Sequence, residues 1–144
     1  MRIAIASDHG GFELKQHLVD WLGRRPELEI EDLGTETAAS VDYPDFAAKV
    51  TDRLRCGEAD LGILICGTGI GMSIAANRAR GVRAALCLNG YMAAMARRHN
   101  HANLLALGGR VIGFALAEGI VDAFLTAEPE GGRHRRRVDK IEAL

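Results

Sequence analysis

Short apolar runs along the chain alternate with segments in which apolar residues recur every three or four positions. The runs at 2–6 and 61–65 are apolar throughout or nearly so, which is typical of buried strands. The segment 11–22 has apolar side chains at 14, 18, 21 and 22, which is the spacing of an amphipathic helix. The whole pattern predicts strands at 2–6, 28–34, 61–65, 82–87 and 103–107, and helices at 11–22, 42–54, 70–79, 90–99, 114–125 and 133–144.

This alternation of strands and helices predicts one α/β domain over residues 1–144, built as a three-layer sandwich. We expect a doubly wound, Rossmann-like sheet of five parallel strands, followed by an extra C-terminal helix. The first and third strands are the most apolar, so we place them at the centre, in the order 2-1-3-4-5. Connections from these two strands then leave in opposite directions, and a ligand-binding crevice opens between their carboxyl ends.

Two loops meet at this predicted crevice, "SDHGG" at 7–11 and "CGTGIG" at 66–71. Gly67, Gly69 and Gly71 let backbone N–H groups converge on one point, and the helix starting near Ile70 adds its positive end. These features predict an anion site with Cys66 at its mouth, where the thiolate form is favoured. The alternative is a tight strand–helix turn with an inert, buried cysteine.

The glycine loop does not match the common nucleotide-binding loops. Met72 stands where a dinucleotide fingerprint needs its third glycine and where a P-loop needs its lysine. No arginine closes the turn, as a cysteine phosphatase would require. The bound charge is therefore a phosphate or a transient oxyanion.

Composition narrows the class of protein further. A net charge of −1 and an aromatic content of 5% argue against nucleic-acid binding. No apolar run approaches the roughly 20 residues that cross a bilayer, and the N-terminal run is too short and acidic for a signal peptide. Cys56, Cys66 and Cys87 lack metal-type spacing, so we expect reduced thiols in a cytoplasmic protein, with Cys56 and Cys87 in the core.

Other polar residues cluster near predicted strand ends. Asp8 is either a helix cap or a functional carboxylate, and the adjacent His9 favours function. His99 and His101 have no third ligand at a usual spacing, so they suggest acid–base chemistry rather than a metal site.

Arg133 and Arg137 are four positions apart and share one face of the last predicted helix. Cations are unfavourable near the start of a helix, and a bound anion would offset that cost. This helix lies beyond the five-stranded core, where it can reach a second subunit.

Taken together, these segments resemble the ribose-5-phosphate isomerase B family, within the wider group that includes galactose-6-phosphate isomerase subunits. The resemblance spans nearly the whole chain. It implies metal-free and cofactor-free interconversion of ribose 5-phosphate and ribulose 5-phosphate through a cis-enediolate, in the pentose phosphate pathway. It also implies a homodimer, or a dimer of dimers, in which neighbouring subunits share active sites. The matching segments are "SDHGG", "DYPDFA", "GILICGTGIGMSIAANR", "RRHNHANLLALGGRV" and "EGGRHRRRV".

By similarity, Cys66 is the general base, His99 opens the sugar ring, and Asp8 and Thr68 complete the catalytic set. The substrate-binding set by similarity is Asp8, His9, Tyr43, Gly67, Thr68, Gly69, Ile70, Gly71, Asn100, Arg110, Arg133 and Arg137. His101 and Asn89 depart from residues common in the family, and we place both near the rim of the crevice. They leave the preferred sugar open among ribose 5-phosphate, allose 6-phosphate and free sugars.

Two other functions fit parts of the pattern. A flavodoxin-like phosphate-binding module would explain the glycine loop and the arginines, but not Cys66, His99 and Asp8 together. A cysteine hydrolase or transferase would use Cys66 as a nucleophile and form a covalent intermediate, which an isomerase does not.

Overall fold

The computed structural model describes residues 1–144 and contains a strand or helix at each place where the pattern predicts one. Boundaries differ from the prediction by a few residues, and a 3-10 turn, His9–Gly11, precedes the first helix. The elements are β1 (Arg2–Ser7), α1 (Phe12–Leu22), β2 (Glu29–Asp32), α2 (Tyr43–Arg55), β3 (Leu61–Cys66), α3 (Ile70–Ala76), β4 (Ala84–Leu86), α4 (Gly90–Asn100), β5 (Leu104–Gly108), α5 (Phe114–Thr126) and α6 (Arg133–Glu142).

The sheet is five-stranded and wholly parallel, as predicted, but its order is β2-β1-β3-β5-β4. The predicted order 2-1-3-4-5 is therefore wrong for the last two strands. All five residues of β5 are buried, whereas the three residues of β4 are only half-buried. The more apolar strand takes the interior position because both of its faces are covered there.

The strand order also determines where the helices lie. Parallel strands are joined by right-handed crossovers, so connections that run in opposite directions place their helices on opposite faces. One core layer contains Ile5, Leu18, Ala93 and Phe124, and thus joins the sheet to α1, α4 and α5. The other layer contains Val50 and Met72, among others, and joins the opposite face to α2 and α3. The result is the predicted three-layer sandwich.

The extra C-terminal helix packs on α4 instead of on the sheet. Its buried residues are His134 and Val138, and Glu142 forms an ion pair with Arg83 at the start of β4. None of the helices combines the length and apolar character that crossing a bilayer requires.

Candidate active site

Three loops pack backbone against backbone at the carboxyl edge of the sheet. A Cβ on Gly10 would lie 2.9 Å from the Gly67 nitrogen, and one on Gly109 would lie 2.9 Å from the Gly10 oxygen. A Cβ on Gly11 would lie only 2.6 Å from the Ile65 oxygen. Side chains do not fit at such distances, so the glycines allow the loops after β1, β3 and β5 to meet in one crevice.

Cys66 ends β3 at the floor of this crevice, where it pairs in register with Gly108 of β5. Its side chain is 5% exposed, and the Gly69 N–H donates to its Sγ atom at 3.1 Å. Gly69 reaches this position with φ of +79°, a left-handed conformation that glycine adopts without strain. The loop therefore directs a backbone N–H donor at the sulfur.

Several other amides of the loop have no acceptor within the chain. The Ile70 N–H donates to the Thr68 hydroxyl oxygen at 3.2 Å, but the N–H groups of Gly67, Thr68 and Gly71 make no hydrogen bond to another part of the protein. Unpaired amides beside a cysteine sulfur are the donors that an oxyanion would need. The anion site stays a prediction, and these amides are the donors that it would use.

Asp8 follows β1 and is buried, with 7% of its surface exposed. Its Oδ1 atom accepts hydrogen bonds from the N–H groups of Gly10 at 2.9 Å and Gly11 at 3.1 Å. Asp8 is thus a helix cap, as one of the two sequence interpretations held. Oδ2 has no partner in the chain, so the same carboxylate keeps one oxygen for a ligand.

Tyr43 and Arg110 lie against the glycine loop. The Tyr43 ring, at the start of α2, lies 2.9 Å from where a Cβ on Gly71 would be. The Arg110 side chain lies 3.4 Å from the corresponding position on Gly67. Arg110 reaches this position because β5 is the neighbour of β3, so the corrected strand order brings a guanidinium to the crevice.

His9 is held by the connection between β2 and α2. The Val41 N–H donates to His9 Nδ1 at 3.2 Å, which leaves the ring proton on Nε2 as a donor. At the start of the same connection, Asp32 pairs with the fully buried Lys15 ammonium at 2.5 Å and accepts from the Gly34 N–H at 2.9 Å. A partly buried ion pair therefore stabilises the connection that orients His9.

The remaining predicted residues lie at the opposite edge of the sheet. α4 starts after the carboxyl end of β4 and runs back antiparallel to the strands, so His99 and Asn100 at its end reach the amino edge. Arg133 and Arg137 lie on α6, which packs on α4. Within one chain, the structure does not bring these four residues to Cys66. We call His99, Asn100, Arg133 and Arg137 the amino-edge cluster.

The placement of His101 near the rim of the crevice is wrong. His101 follows α4 directly and so lies at the amino edge, where its ring nitrogen is 2.7 Å from the Glu130 carbonyl oxygen. Asn89 is at the carboxyl edge, where its side chain caps α4 by accepting from the Met92 N–H at 2.9 Å. Helix α4 separates the two residues, since Asn89 caps its start and His101 caps its end.

Two residues that sequence reasoning missed surround His99. The His99 and His134 rings stack at 4.1 Å with an interplanar angle of 6°, and Glu130 Oε2 lies 3.9 Å from His99 Nε2. Burial, followed by the nearby His99 and Arg133, lowers the pKa of His134. The only signal in the sequence is that Glu130 and His134 are four positions apart across two glycines.

The nitrogen and oxygen atoms of His99, Glu130 and His134 lie within 4.8 Å of one another. Stacked rings hold their nitrogen lone pairs in parallel planes, so both imidazoles cannot direct a lone pair at one ion. The arrangement does not fit a metal centre, and we assign no metal-dependent step to it.

The other two cysteines differ from Cys66. Cys87 is buried as predicted, and burial raises the pKa of its thiol to about 11. Cys56 was expected in the core but is exposed, because it caps the carboxyl end of α2. Neither belongs to the crevice, since Cys56 lies beyond α2 and Cys87 follows the edge strand β4.

The sequence of the chain is similar to those of known proteins. Residues 3–141 match the model of a family described as Ribose/Galactose Isomerase. The chain is 49% identical over 143 residues to ribose-5-phosphate isomerase B of Escherichia coli, covering 99% of this chain and 95% of that protein.

Solved structures show the same fold. A crystal structure of a ribose 5-phosphate isomerase from Thermotoga maritima is 57% identical, with a TM-score of 0.97 and coverage of 99% of this chain and 98% of that one. Ribose-5-phosphate isomerase B of Mycoplasma genitalium with bound ribulose-5-phosphate is 46% identical, with a TM-score of 0.93 and coverage of 99% and 94%.

Proposed function

The chain belongs to the ribose/galactose isomerase family of sugar-phosphate aldose–ketose isomerases, and we propose that it interconverts ribose 5-phosphate and ribulose 5-phosphate with Cys66 as the general base. The relatives named for this activity, one of them solved with ribulose-5-phosphate, support the choice of a five-carbon substrate. We further propose that it works in the cytoplasmic pentose phosphate pathway.

One observation carries the choice of base. The Cys66 sulfur receives the Gly69 N–H at 3.1 Å, beside three loop amides that have no acceptor in the chain. Removing a proton next to a carbonyl creates an oxyanion, so the reaction needs a base and free donors at one place. The crevice supplies both within a single loop.

The proton transfer can be written with these groups alone. The Cys66 thiolate takes the proton from C2 of the open-chain aldose, and the electron pair moves through the C1–C2 bond to the carbonyl oxygen. The resulting cis-enediolate is held by the N–H groups of Gly67, Thr68 and Gly71. The thiol then returns the proton to C1, while the proton of the C2 hydroxyl passes to O1 of the same cis-enediolate. Asp8 Oδ2 accepts a hydrogen bond from a sugar hydroxyl throughout.

The phosphate and the ring-opening step require the amino-edge cluster. Arg110 and the Nε2–H of His9 are at the crevice, but His99, Arg133 and Arg137 are at the other edge of the same chain. We therefore propose a homodimer in which the amino-edge cluster of one subunit completes the crevice of its partner. His99 then donates the proton that opens the furanose ring, and the arginines bind phosphate.

Exchange of the C2 hydrogen in deuterated water tests the proposed base. Wild-type protein should exchange the C2 hydrogen of ribose 5-phosphate, and Cys66→Ala should lower the rate by about 10²–10⁴, as expected for loss of a general base. Cys87→Ala, which removes a buried thiol away from the crevice, is the matched control and should exchange at the wild-type rate. Exchange near the wild-type rate in Cys66→Ala would reject Cys66 as the base.

The same experiment separates the other two functions. A phosphate-binding module gives no exchange in any variant. A cysteine hydrolase or transferase gives a covalent adduct on Cys66, which intact-protein mass spectrometry detects after substrate is added. The isomerase gives exchange without an adduct.

A further inference from the structure

Arg97 on α4 is a partly buried cation that the fold leaves without a counterion. Its Nη1 group donates to the Ala102 carbonyl at 2.7 Å, and the guanidinium lies 5.5 Å from the centre of the Phe124 ring. Its Nε atom is buried and has no hydrogen-bond partner, and no carboxylate lies within ion-pair distance of it. Burial lowers the pKa of Arg97, with the charge of Arg83 acting in the same direction and that of Glu128 against it. Buried charges are normally paired, so the charge of Arg97 indicates that an anion binds beside it.

Arg97 lines a cavity of about 450 Å³ between the end of α4 and the start of α6. Arg83, Arg135, His101 and Asn103 line the same cavity, and none of its lining residues is an apolar core residue. Three guanidiniums, one imidazole and one side-chain amide thus surround a space large enough for a phosphate monoester. Guanidinium groups present paired N–H donors that match phosphate oxygens.

The negative groups around the cavity are already engaged. Arg83 pairs with Glu142, and Arg135 donates to Asp139 at 2.8 Å. The Glu130 carboxylate, the only one in the lining, faces His99 and His134 at 3.9 and 3.6 Å. These pairings leave Arg97 without an ion pair, and Glu128 acts on its charge only from beyond ion-pair distance.

The carbonyl groups at the end of α4 are covered as well. Two nitrogens of Arg83 donate to the His101 carbonyl at 3.1 and 2.9 Å, and Arg97 donates to that of Ala102. Guanidinium groups therefore cover these two carbonyl oxygens just beyond α4, so that neither oxygen faces an anion in the cavity.

We propose that this cavity is a second anion site, which binds the phosphate group of a small phosphorylated molecule through Arg97 and Arg135, whose guanidinium groups keep nitrogens without a partner in the chain. His101 is two residues from His99, and Arg135 lies between Arg133 and Arg137. An anion in the cavity therefore ties the end of α4 to the start of α6 and steadies the amino-edge cluster. This last step rests on the proposed isomerase function, whereas the binding itself does not.

Inorganic phosphate, followed by NMR of the backbone amides near His101 and Asn103 in the full chain, tests the binding. Wild-type protein should show saturable shifts there. Arg135→Gln should weaken the apparent affinity by about tenfold, the effect of losing one charged hydrogen bond, and Arg97→Met should abolish the shifts. Arg136→Gln changes the same charge on an exposed neighbour outside the cavity and should leave the affinity unchanged.

Three results would overturn the site: no shifts at these amides, shifts that grow linearly without saturation, or equal weakening by Arg135→Gln and Arg136→Gln. Arg135 and Arg136 are both exposed on α6, so neither variant depends on the survival of a core contact. These measurements follow phosphate binding and not enzymatic turnover, so they remain valid if the isomerase assignment fails.

Kinetics tests the link to the amino-edge cluster. Phosphate competes with substrate at the crevice in every variant, so the informative quantity is the rate at saturating ribose 5-phosphate. Phosphate should change that rate in wild-type and Arg136→Gln protein, whereas in Arg135→Gln it should be a purely competitive inhibitor. The same inhibition pattern in wild-type and Arg135→Gln protein would overturn the link.

Discussion

The two edges of the sheet are built in different ways. At the carboxyl edge, glycines bring three loops into backbone contact, and Cys66 and Asp8 are buried among amide donors. At the amino edge, the cluster consists of helix side chains, and Arg133 and Arg137 are exposed to solvent. One edge is a site built from packed backbone, and the other is a set of helix side chains that includes two exposed arginines.

This difference indicates a division of labour. Stabilisation of an oxyanion requires donors fixed before the reaction begins, which backbone amides in a packed crevice provide. Binding a phosphate requires charge and reach, which exposed arginines provide. Because the edges are on opposite sides of one subunit, the proposed homodimer is the arrangement in which the two kinds of group would serve one substrate.

Mixing two inactive variants gives the largest expected effect. Cys66→Ala damages only the crevice and His99→Asn only the amino-edge cluster, so each homodimer should be nearly inactive. After joint refolding, half of the dimers are mixed, and each mixed dimer has one intact site. Activity should therefore recover to about a quarter of wild type. The measurement is isomerisation of ribose 5-phosphate before and after mixing.

The control mixes Cys66→Ala with Asp8→Ala, since both changes damage the crevice. No mixed dimer then has an intact site, and activity should stay at the level of the separate variants. Failure of the first mixture to recover activity, with mixed dimers verified by mass spectrometry, would show that the sites are not shared.

A single added methyl group should separate the edges in stability. Gly11→Ala places a Cβ 2.6 Å from the Ile65 oxygen, whereas Gly131→Ala near the start of α6 meets nothing within 4 Å. We expect Gly11→Ala to lower the free energy of unfolding in urea by about 3 kcal/mol, the upper end for overpacking, because the clash is with backbone. Gly131→Ala should change it by less than about 0.5 kcal/mol. Similar values for the two variants would contradict a rigid crevice.

Breaking an ion pair should also cost more stability near the crevice than on α6, and the loss should be similar to or smaller than that caused by the added methyl group. Asp32→Asn leaves the fully buried Lys15 charge without its partner and should cost about 3 kcal/mol, the lower end for a broken buried pair because Asp32 is partly exposed. Asp139→Asn breaks the exposed pair with Arg135 on α6 and should cost less than about 0.5 kcal/mol. Chemical unfolding of both variants provides the comparison, and an equal cost would contradict it.

The smallest effect concerns pH. Burial depresses the pKa of His134 in the folded protein, so the unfolded chain binds more protons just below the ordinary histidine pKa of about 6.5. The contribution of His134 to stability is therefore full above that pH and is lost as the pH falls toward the folded-state pKa. Thermal unfolding from pH 7.5 to 5 should show a smaller drop in Tm for His134→Gln than for wild type. Parallel curves would indicate that His134 does not contribute to this dependence.

Much of the carboxyl edge could be predicted from the chain alone. The apolar runs before Asp8 and Cys66 identify buried strands, and the glycines after them identify loops that must approach a ligand or each other. These are local signals, because side-chain periodicity and turn chemistry act over a few residues. They identify the loops that carry Asp8 and Cys66, and the prediction that the first and third strands lie side by side brings the two loops to one crevice.

The neighbourhood of Arg110 and the partners of His99 required the tertiary structure. Whether β4 or β5 lies beside β3 depends on which strand gains more by burying both faces, a balance that involves every element packed on the sheet. That balance puts Arg110 beside Gly67 and sends α4 to the opposite face from α3. The tertiary structure also brings Glu130 and His134 to His99. No local sequence pattern predicts this contact, because it depends on how α6 packs on α4, a helix more than 30 residues earlier in the chain.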